Sequence, residues 1–235
     1  MNKAIVIYSG GQDSTTCLFW ALNRYEKVVA ISFKYNQKHL IELSQAKEII
    51  NKIGNVEHIV ISLEDSLGVL AKSALIDVDG NVSEINKYGL PSSFVPGRNG
   101  IFIYNTYIYA LKMEADSIIT GVCQTDYSGY PDCRRLFVDS LLQTMDLGIF
   151  GEGKSSGIII ETPLMELTKA ETFKLAKEEN CLEQVIELSH TCYNGKREYK
   201  HAWGWSSEKE GEILCPACNL RAKGYYEALE KGWLY

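Results

Sequence analysis

The sequence predicts an α/β fold built on a doubly wound, mostly parallel sheet. Three observations point there. Short β-rich runs recur between longer helical patterns, a glycine-rich turn joins the first of these runs to a helix, and 235 residues suffice for one sizeable core with a small appendage. Ala4 to Tyr8 reads as the first strand, followed by Ser14 to Arg24 as a helix. Val28 to Phe33 then reads as a strand, Leu40 to Ile53 as a helix and His58 to Ile61 as a strand. Ile101 to Met113 (helix), Ser117 to Thr120 (strand), Arg134 to Leu147 (helix) and Ile158 to Glu161 (strand) continue the alternation. The last helix of the series, Lys169 to Asn180, has the sharpest start: Thr168 with Glu171 three residues on is the capping-box spacing, which satisfies two orphan backbone donors. From His190 to Asn219 the chain turns polar and aromatic, with little apolar periodicity, so this stretch needs docking or a metal to stay folded. We therefore divide the chain into a main domain, residues 1–189, and a C-terminal lobe with a helix, residues 190–235.

Composition narrows the function. Hydrophobic residues make up 46% and charged residues 23%, a globular balance, and no apolar run approaches the roughly 18 residues of a membrane span. The N-terminal apolar run is too short for a signal-peptide core, so the sequence predicts a cytoplasmic protein. Acidic residues outnumber basic ones by 30 to 24, which disfavours direct binding to tRNA or DNA. Seven cysteines without an export signal point to thiols or metal ligands more than to disulfides.

The strongest motif is Ser9-Gly10-Gly11-Gln12-Asp13-Ser14, between the first strand and a helix that opens with Thr15 and Thr16. Two glycines let backbone approach an anion, and the helix N-terminus offers N–H groups and partial positive charge. The Gly-Lys-Ser/Thr ending of a Walker A loop is lacking, which argues against a kinase or GTPase. A tight βα turn capped by Asp13 or Ser14 is the structural alternative. A second block, Gly121 to Arg134, follows the fourth strand, so it should face the first loop across the crevice at the strands' carboxyl ends. Its Asp126 and Asp132 can accept from the N–H groups of a base-like ligand, Tyr127 and Tyr130 can stack, and Arg134 can hold a carboxylate or phosphate. A Gly/Pro/Asp turn with Asp132 as a helix cap fits the same composition.

Ser-Gly-Gly-Gln-Asp-Ser resembles the PP-loop of the N-type ATP pyrophosphatases, which adenylate an oxygen and release pyrophosphate. The second block is similar to that of one family among them. Together with Phe33-Lys34-Tyr35-Asn36-Gln37-Lys38-His39, Phe94-Val95-Pro96-Gly97-Arg98-Asn99, Thr162-Pro163-Leu164-Met165 and Lys169-Ala170-Glu171-Thr172, it resembles the 7-cyano-7-deazaguanine (preQ0) synthases. The likeness runs from Lys3 to about Gly195 and resumes at Cys215.

The resemblance implies an adenine nucleotide alpha hydrolase-like, Rossmann-like fold and a C–N ligase of queuosine biosynthesis. Such an enzyme converts 7-carboxy-7-deazaguanine and ammonia, with ATP and Mg²⁺, to the nitrile through adenylated intermediates and an amide. It implies that Tyr8, Ser9, Gly10, Gly11, Gln12, Asp13, Ser14, Thr15, Ser32 and Phe33 hold the nucleotide, with Asp13, Ser14 and Arg98 closest to the chemistry. Tyr35, Gln37, Arg98, Gly121, Asp126, Tyr127, Gly129, Tyr130, Asp132 and Arg134 are the candidates for the substrate. Arg98 equally suits a surface or ion-paired role, and His39 a structural one. A homodimer is also implied.

The family carries four zinc-binding cysteines, one in Thr-Cys-Tyr-Asn-Gly and three in Cys-Gly-x-Cys-x-x-Cys. This sequence retains Cys192, Cys215 and Cys218 but has Glu212 at the remaining position and an enlarged segment from Lys196 to Leu214. His201 is the first choice for the fourth ligand of Zn²⁺, with His190 and Glu212 behind it. The Cys-x-x-Cys pair alone also matches a redox motif. Cys17, Cys123, Cys133 and Cys181 read as small buried side chains. Other readings keep the ATP chemistry and change the outcome: an enzyme stopping at the 7-amide, one transferring the activated base to another amine, or a tRNA-thiolating enzyme. A nucleotide sensor without turnover is the non-enzymatic alternative.

Overall fold

All five expected strands pair into one parallel sheet. The computed structural model describes residues 2–35, 41–71, 73–76, 80–82, 84–125 and 129–235. Within them the order is β1 (Lys3–Ile7), α1 (Gln12–Leu22), β2 (Lys27–Lys34), α2 (Ile41–Ile53), β3 (Glu57–Ser62), a short α3 (Leu67–Leu70), α4 (Arg98–Met113), β4 (Ser117–Ile119), α5 (Arg135–Phe150) and β5 (Ile159–Glu161). There follow α6 (Lys169–Glu178) and α7 (Leu182–Glu187), then, in the C-terminal lobe, the strands β6 (Tyr199–His201) and β7 (Gly204–Ser206) and α8 (Pro216–Glu230).

The sheet order is β3-β2-β1-β4-β5. Ala4 lies opposite Val28 on one side and Ser117 on the other, so β1 is central and the chain reverses its winding between β1 and β4. That is the switch point at which open α/β sheets form a crevice beyond the strands' carboxyl ends. Alternate residues of the strands supply two apolar layers, as the period of two requires. Ala4, Val6 and Tyr8 pack with Cys17, Leu18, Ala46 and Ile49 under α1 and α2. Ile5, Ile31 and Ile118 pack with Ile103, Tyr107, Val138 and Met145 under α4 and α5.

The capping box is present as the spacing demands. The Glu171 N–H donates to Thr168 Oγ1 at 3.3 Å and the Thr168 N–H donates to Glu171 Oε2 at 2.8 Å. The lobe's apolar cluster runs across residue 189. Phe173, Cys181 and Val185 of the α6–α7 region pack with Trp203, Cys218, Tyr225 and Leu234, so α6 and α7 join the two parts of the chain in one packed body. Among the described residues no helix is long and apolar enough to cross a membrane.

Candidate active site

The first loop takes the conformation its glycines permit. Gly10 has φ +85°, and a Cβ there would meet the Glu42 carbonyl oxygen at 2.6 Å and the Ala46 nitrogen at 2.8 Å, so the loop lies flat against the start of α2. Gly11 (φ −77°, ψ 170°) stands at the N-cap of α1 and offers no side-chain cap, which leaves the helix terminus to an incoming anion. The hydroxyls of Ser9 and Ser14 lie 3.1 Å apart, and Ser14 Oγ donates to the Gly11 carbonyl at 3.2 Å. Gln12 is 2% exposed and borders the cleft, yet its amide has no partner among the described residues. Such a group awaits a ligand or ordered water.

Asp13 is held by a cation. Lys169, the first residue of α6, donates from Nζ to both Asp13 carboxylate oxygens at 3.0 and 2.9 Å. The approach of α8 sets this lysine: a Cβ on Gly224 would lie 2.6 Å from Lys169 Cγ. Gly121 presses on the loop from across the switch point, where a Cβ would sit 3.2 Å from the Asp13 carbonyl carbon. The two glycine loops therefore face each other, as strand order requires.

A cleft of about 320 Å³ extends from this loop between α2, α4 and the lobe. Pro96 and Gly97 (φ +76°) break the chain before α4, and Arg98 begins that helix inside the cleft, where Nη1 donates to the Tyr35 hydroxyl at 3.3 Å. Phe33 stacks on Phe102 with ring centres 4.3 Å apart. The Tyr130 hydroxyl pairs with Ser93 Oγ at 2.7 Å. Burial pushes the phenols of Tyr35 and Tyr193 upward, so both stay neutral donors at neutral pH. Glu42 also lines the cleft, and burial lifts its carboxyl to about 7 against the pull of Arg98.

The expected residues divide into three groups. Tyr8, Ser9, Gly11, Gln12, Asp13, Ser14, Phe33, Tyr35, Arg98, Gly121 and Tyr130 border the one cleft. Gly10, Thr15, Ser32, Gly129, Asp132 and Arg134 do not. The Thr15 N–H is spent on the Gly11 carbonyl at 3.0 Å, and the Ser32 hydroxyl is engaged by the Tyr8 carbonyl and by His58 Nε2 at 2.7 Å. Asp132 is buried and accepts from the Asn99 N–H at 3.3 Å, while Arg134 is exposed at the N-cap of α5. The next residue, Arg135, turns back to Thr162 Oγ1 at 2.5 Å. Gln37, His39, Asp126 and Tyr127 lie outside the described residues.

The cysteines converge. The Sγ atoms of Cys192, Cys215 and Cys218 lie within 4.8 Å of one another, all three residues buried. Cys215 caps α8, its sulfur accepting from the Cys218 N–H at 3.5 Å. Hydrogen bonds from Cys215 and Cys218 draw the Cys192 thiol strongly down, and the same sharing of protons pushes Cys215 up to about 11. Three soft, buried donors that compete for protons suit Zn²⁺.

His201 is not among them, which corrects the expected fourth ligand. The enlarged segment folds as the β6–β7 hairpin, in which His201 pairs with Gly204, stacks on Trp203 at 4.6 Å and places Nε2 2.9 Å from the Glu208 carbonyl oxygen. Ser207 Oγ lies 2.9 Å from Cys192 Sγ, and Ser206 Oγ donates to Cys218 Sγ at 3.5 Å. His190, buried beside the phosphate loop, donates its backbone N–H to the Gly10 carbonyl at 3.1 Å.

The lobe also braces the phosphate loop. Arg221 is 1% exposed; its Nε donates to the Trp203 carbonyl at 2.8 Å and its Nη1 to Thr191 Oγ1 at 3.0 Å. Thr191 Oγ1 in turn faces the Gln12 N–H at 3.5 Å. Sequence reasoning assigned no role to Lys169, Glu42, Thr191, Tyr193 or Arg221. Lys169, Thr191, Tyr193 and Arg221 stand in runs that were singled out, but their contacts with residues far along the chain leave no local pattern.

The family model for "Queuosine biosynthesis protein QueC" matches residues 3–229. Similar curated proteins carry the name 7-cyano-7-deazaguanine synthase. That of Clostridium botulinum (strain Loch Maree) is 48% identical over 96% of this chain and 95% of its own, and that of Bacillus subtilis (strain 168) 47% over 96% and 94%. The Wolinella succinogenes protein is 42% identical over 96% and 93%. Among solved structures, a 4-thiouridine synthetase in complex with RNA and bound ATP shares the fold, with a TM-score of 0.51 at 16% identity over 99% of this chain and 53% of that one. With a match that leaves out only the extreme ends and relatives of this identity along nearly their whole length, the chain belongs to the QueC family of queuosine biosynthesis proteins.

Proposed function

We propose that this chain is a C–N ligase that makes 7-cyano-7-deazaguanine from 7-carboxy-7-deazaguanine, ammonia and ATP. The observation that carries the reading is the phosphate loop at the switch point. Its Gly11 N-cap without a side-chain acceptor, its paired serines and the Asp13–Lys169 pair open into a cleft that Arg98 also lines. The names of the relatives favour the nitrile-forming reaction over an amide-stopping, amine-transferring or thiolating one.

The chemistry follows from the poor electrophilicity of a carboxylate. Its oxygen attacks the α-phosphorus of ATP, and pyrophosphate leaves toward the start of α1 and the hydroxyls of Ser9 and Ser14. Ammonia then adds to the acyl carbon and AMP departs, giving the amide. A second ATP adenylates the amide oxygen, and loss of AMP with a proton leaves the nitrile. Lys169 orients Asp13 and adds positive charge beside the loop. Arg98 draws the substrate carboxylate toward that loop, and the aromatic walls of Phe33, Phe102, Tyr35 and Tyr130 exclude water that would hydrolyse the acyl-adenylate. Mg²⁺ bound largely through the phosphates needs few protein ligands, and Asp13 is the carboxylate at the loop. When bound it would share the charge of the departing pyrophosphate. Cys192, Cys215 and Cys218 would hold Zn²⁺ as a structural ion, tying Thr191-Cys192 to α8 and so to the loop.

Product identification tests this. The protein, incubated with 7-carboxy-7-deazaguanine, ammonium and ATP, should release AMP and pyrophosphate and yield the nitrile by mass spectrometry. Formation of ADP and orthophosphate alone would reject the reaction, and a product one water heavier that persists with excess ATP would reject the nitrile step. Zinc measured on the same sample should be close to one ion per chain.

A further inference from the structure

The cleft holds two described carboxylates, Asp13 and Glu42, and they stand in opposite circumstances. Asp13 is neutralised by Lys169 at the phosphate end. Glu42, in the first turn of α2, accepts no hydrogen bond and joins no ion pair among the described residues, although its backbone is pinned by the close approach of Gly10. Arg98 shares the cleft and directs Nη1 at Tyr35 rather than at Glu42. Asp132, the nearby acid, is already engaged by the Asn99 N–H and lies outside the cleft lining.

We infer that Glu42 reads the base of the substrate, its carboxylate accepting from the ring N1–H and the exocyclic 2-amino group together. This rests on the function proposed above. A 7-deazaguanine presents those two donors side by side on one edge, and a carboxylate is the acceptor-only group whose two oxygens match such a pair. The 7-carboxylate sits at the other end of the ring system. Glu42 would repel it, and Arg98, which lines the same cleft, would attract it. Glu42 is half-buried and accepts no hydrogen bond among the described residues, and burial raises its carboxyl against the pull of Arg98. Two charge-assisted hydrogen bonds would compensate for that burial. A site built this way discriminates strongly against an analogue without the donor, because the carboxylate is then left unpaired.

The experiment is calorimetric binding of 7-carboxy-7-deazaguanine, of its analogue lacking the 2-amino group, and of ATP, to the wild-type protein and to Glu42→Gln, with circular dichroism on both. Wild type should prefer the 2-amino compound by roughly 10- to 100-fold. In Glu42→Gln that preference should shrink at least about tenfold, with ATP affinity changed less than about twofold. If Glu42→Gln keeps the wild-type preference, or loses affinity for ATP as severely as for the base, the assignment of Glu42 is overturned and the proposed function stands. If wild type binds ATP but neither base, the proposed function falls and this assignment falls with it.

Discussion

Replacing Gly10 with alanine tests whether the phosphate loop is braced by α2. The native φ of +85° is left-handed, which costs an L-residue about 1–2 kcal/mol, and the added methyl would sit 2.6 Å from the Glu42 carbonyl oxygen and 2.8 Å from the Ala46 nitrogen. Both obstacles are helix backbone, which cannot rotate away as a flexible side chain can. Relief requires α2 or the loop to move, at the roughly 1–3 kcal/mol typical of overpacking. Lower entropy of the unfolded alanine chain offsets up to about 1 kcal/mol, so Gly10→Ala should destabilise by about 1–5 kcal/mol, centred on about 3 kcal/mol or roughly 6–12 °C in melting temperature for a chain of this size. Gly11→Ala is the control, because at φ −77° the methyl would meet only Ser9 Oγ at 3.3 Å and the His190 carbonyl oxygen at 3.4 Å. Its cost should stay within about 1 kcal/mol. Paired thermal melts without nucleotide measure both. A Gly10→Ala melt within a degree or two of wild type, or equal shifts in the two variants, would refute the bracing of the loop by α2.

Asp13→Ala should lower pyrophosphate release by about 100-fold or more while leaving the far-ultraviolet circular dichroism spectrum near native; turnover equal to wild type would remove Asp13 from the reaction. Thr168→Ala removes the N-cap of α6 and should destabilise by about 1 kcal/mol, and because Lys169 is the next residue, ATP affinity should fall as well. A thermal melt and a nucleotide titration check the two effects separately. Burial raises Glu42 to about 7 from an unfolded value near 4.5, so the folded protein binds this proton more tightly and its stability falls as pH rises through that interval. Urea denaturation across that range should show a decline that is flatter in Glu42→Gln; parallel profiles would place the titration on another group.

The phosphate loop and the capping box were legible in the sequence because each is complete within a few consecutive residues. The glycine conformation, the helix dipole and the cap all act at that range. The strands were legible for a related reason, since a parallel sheet buried on both faces writes itself as short apolar runs. The C-terminal lobe shows the contrast. Its three candidate metal ligands, Cys192, Cys215 and Cys218, could be read, but the path of the enlarged segment could not, and the hairpin it forms engages His201 away from the sulfurs. Arg134 could be named from the second block, but the turn before α5 leaves it exposed at that helix's N-cap and outside the cleft lining.

Chemical identity is therefore a property of the linear chain. An anion cradle after the first strand, a second glycine loop after the fourth and a thiol set near the end are all written in order. Partnership is a property of the folded body. Lys169 reaches Asp13 across 156 positions, Arg221 reaches Thr191 across 30, and Glu42 enters the cleft because Gly10 allows α2 to close on the loop. Such pairs depend on packing distances of a few ångströms between elements far apart in sequence, and no local propensity encodes them.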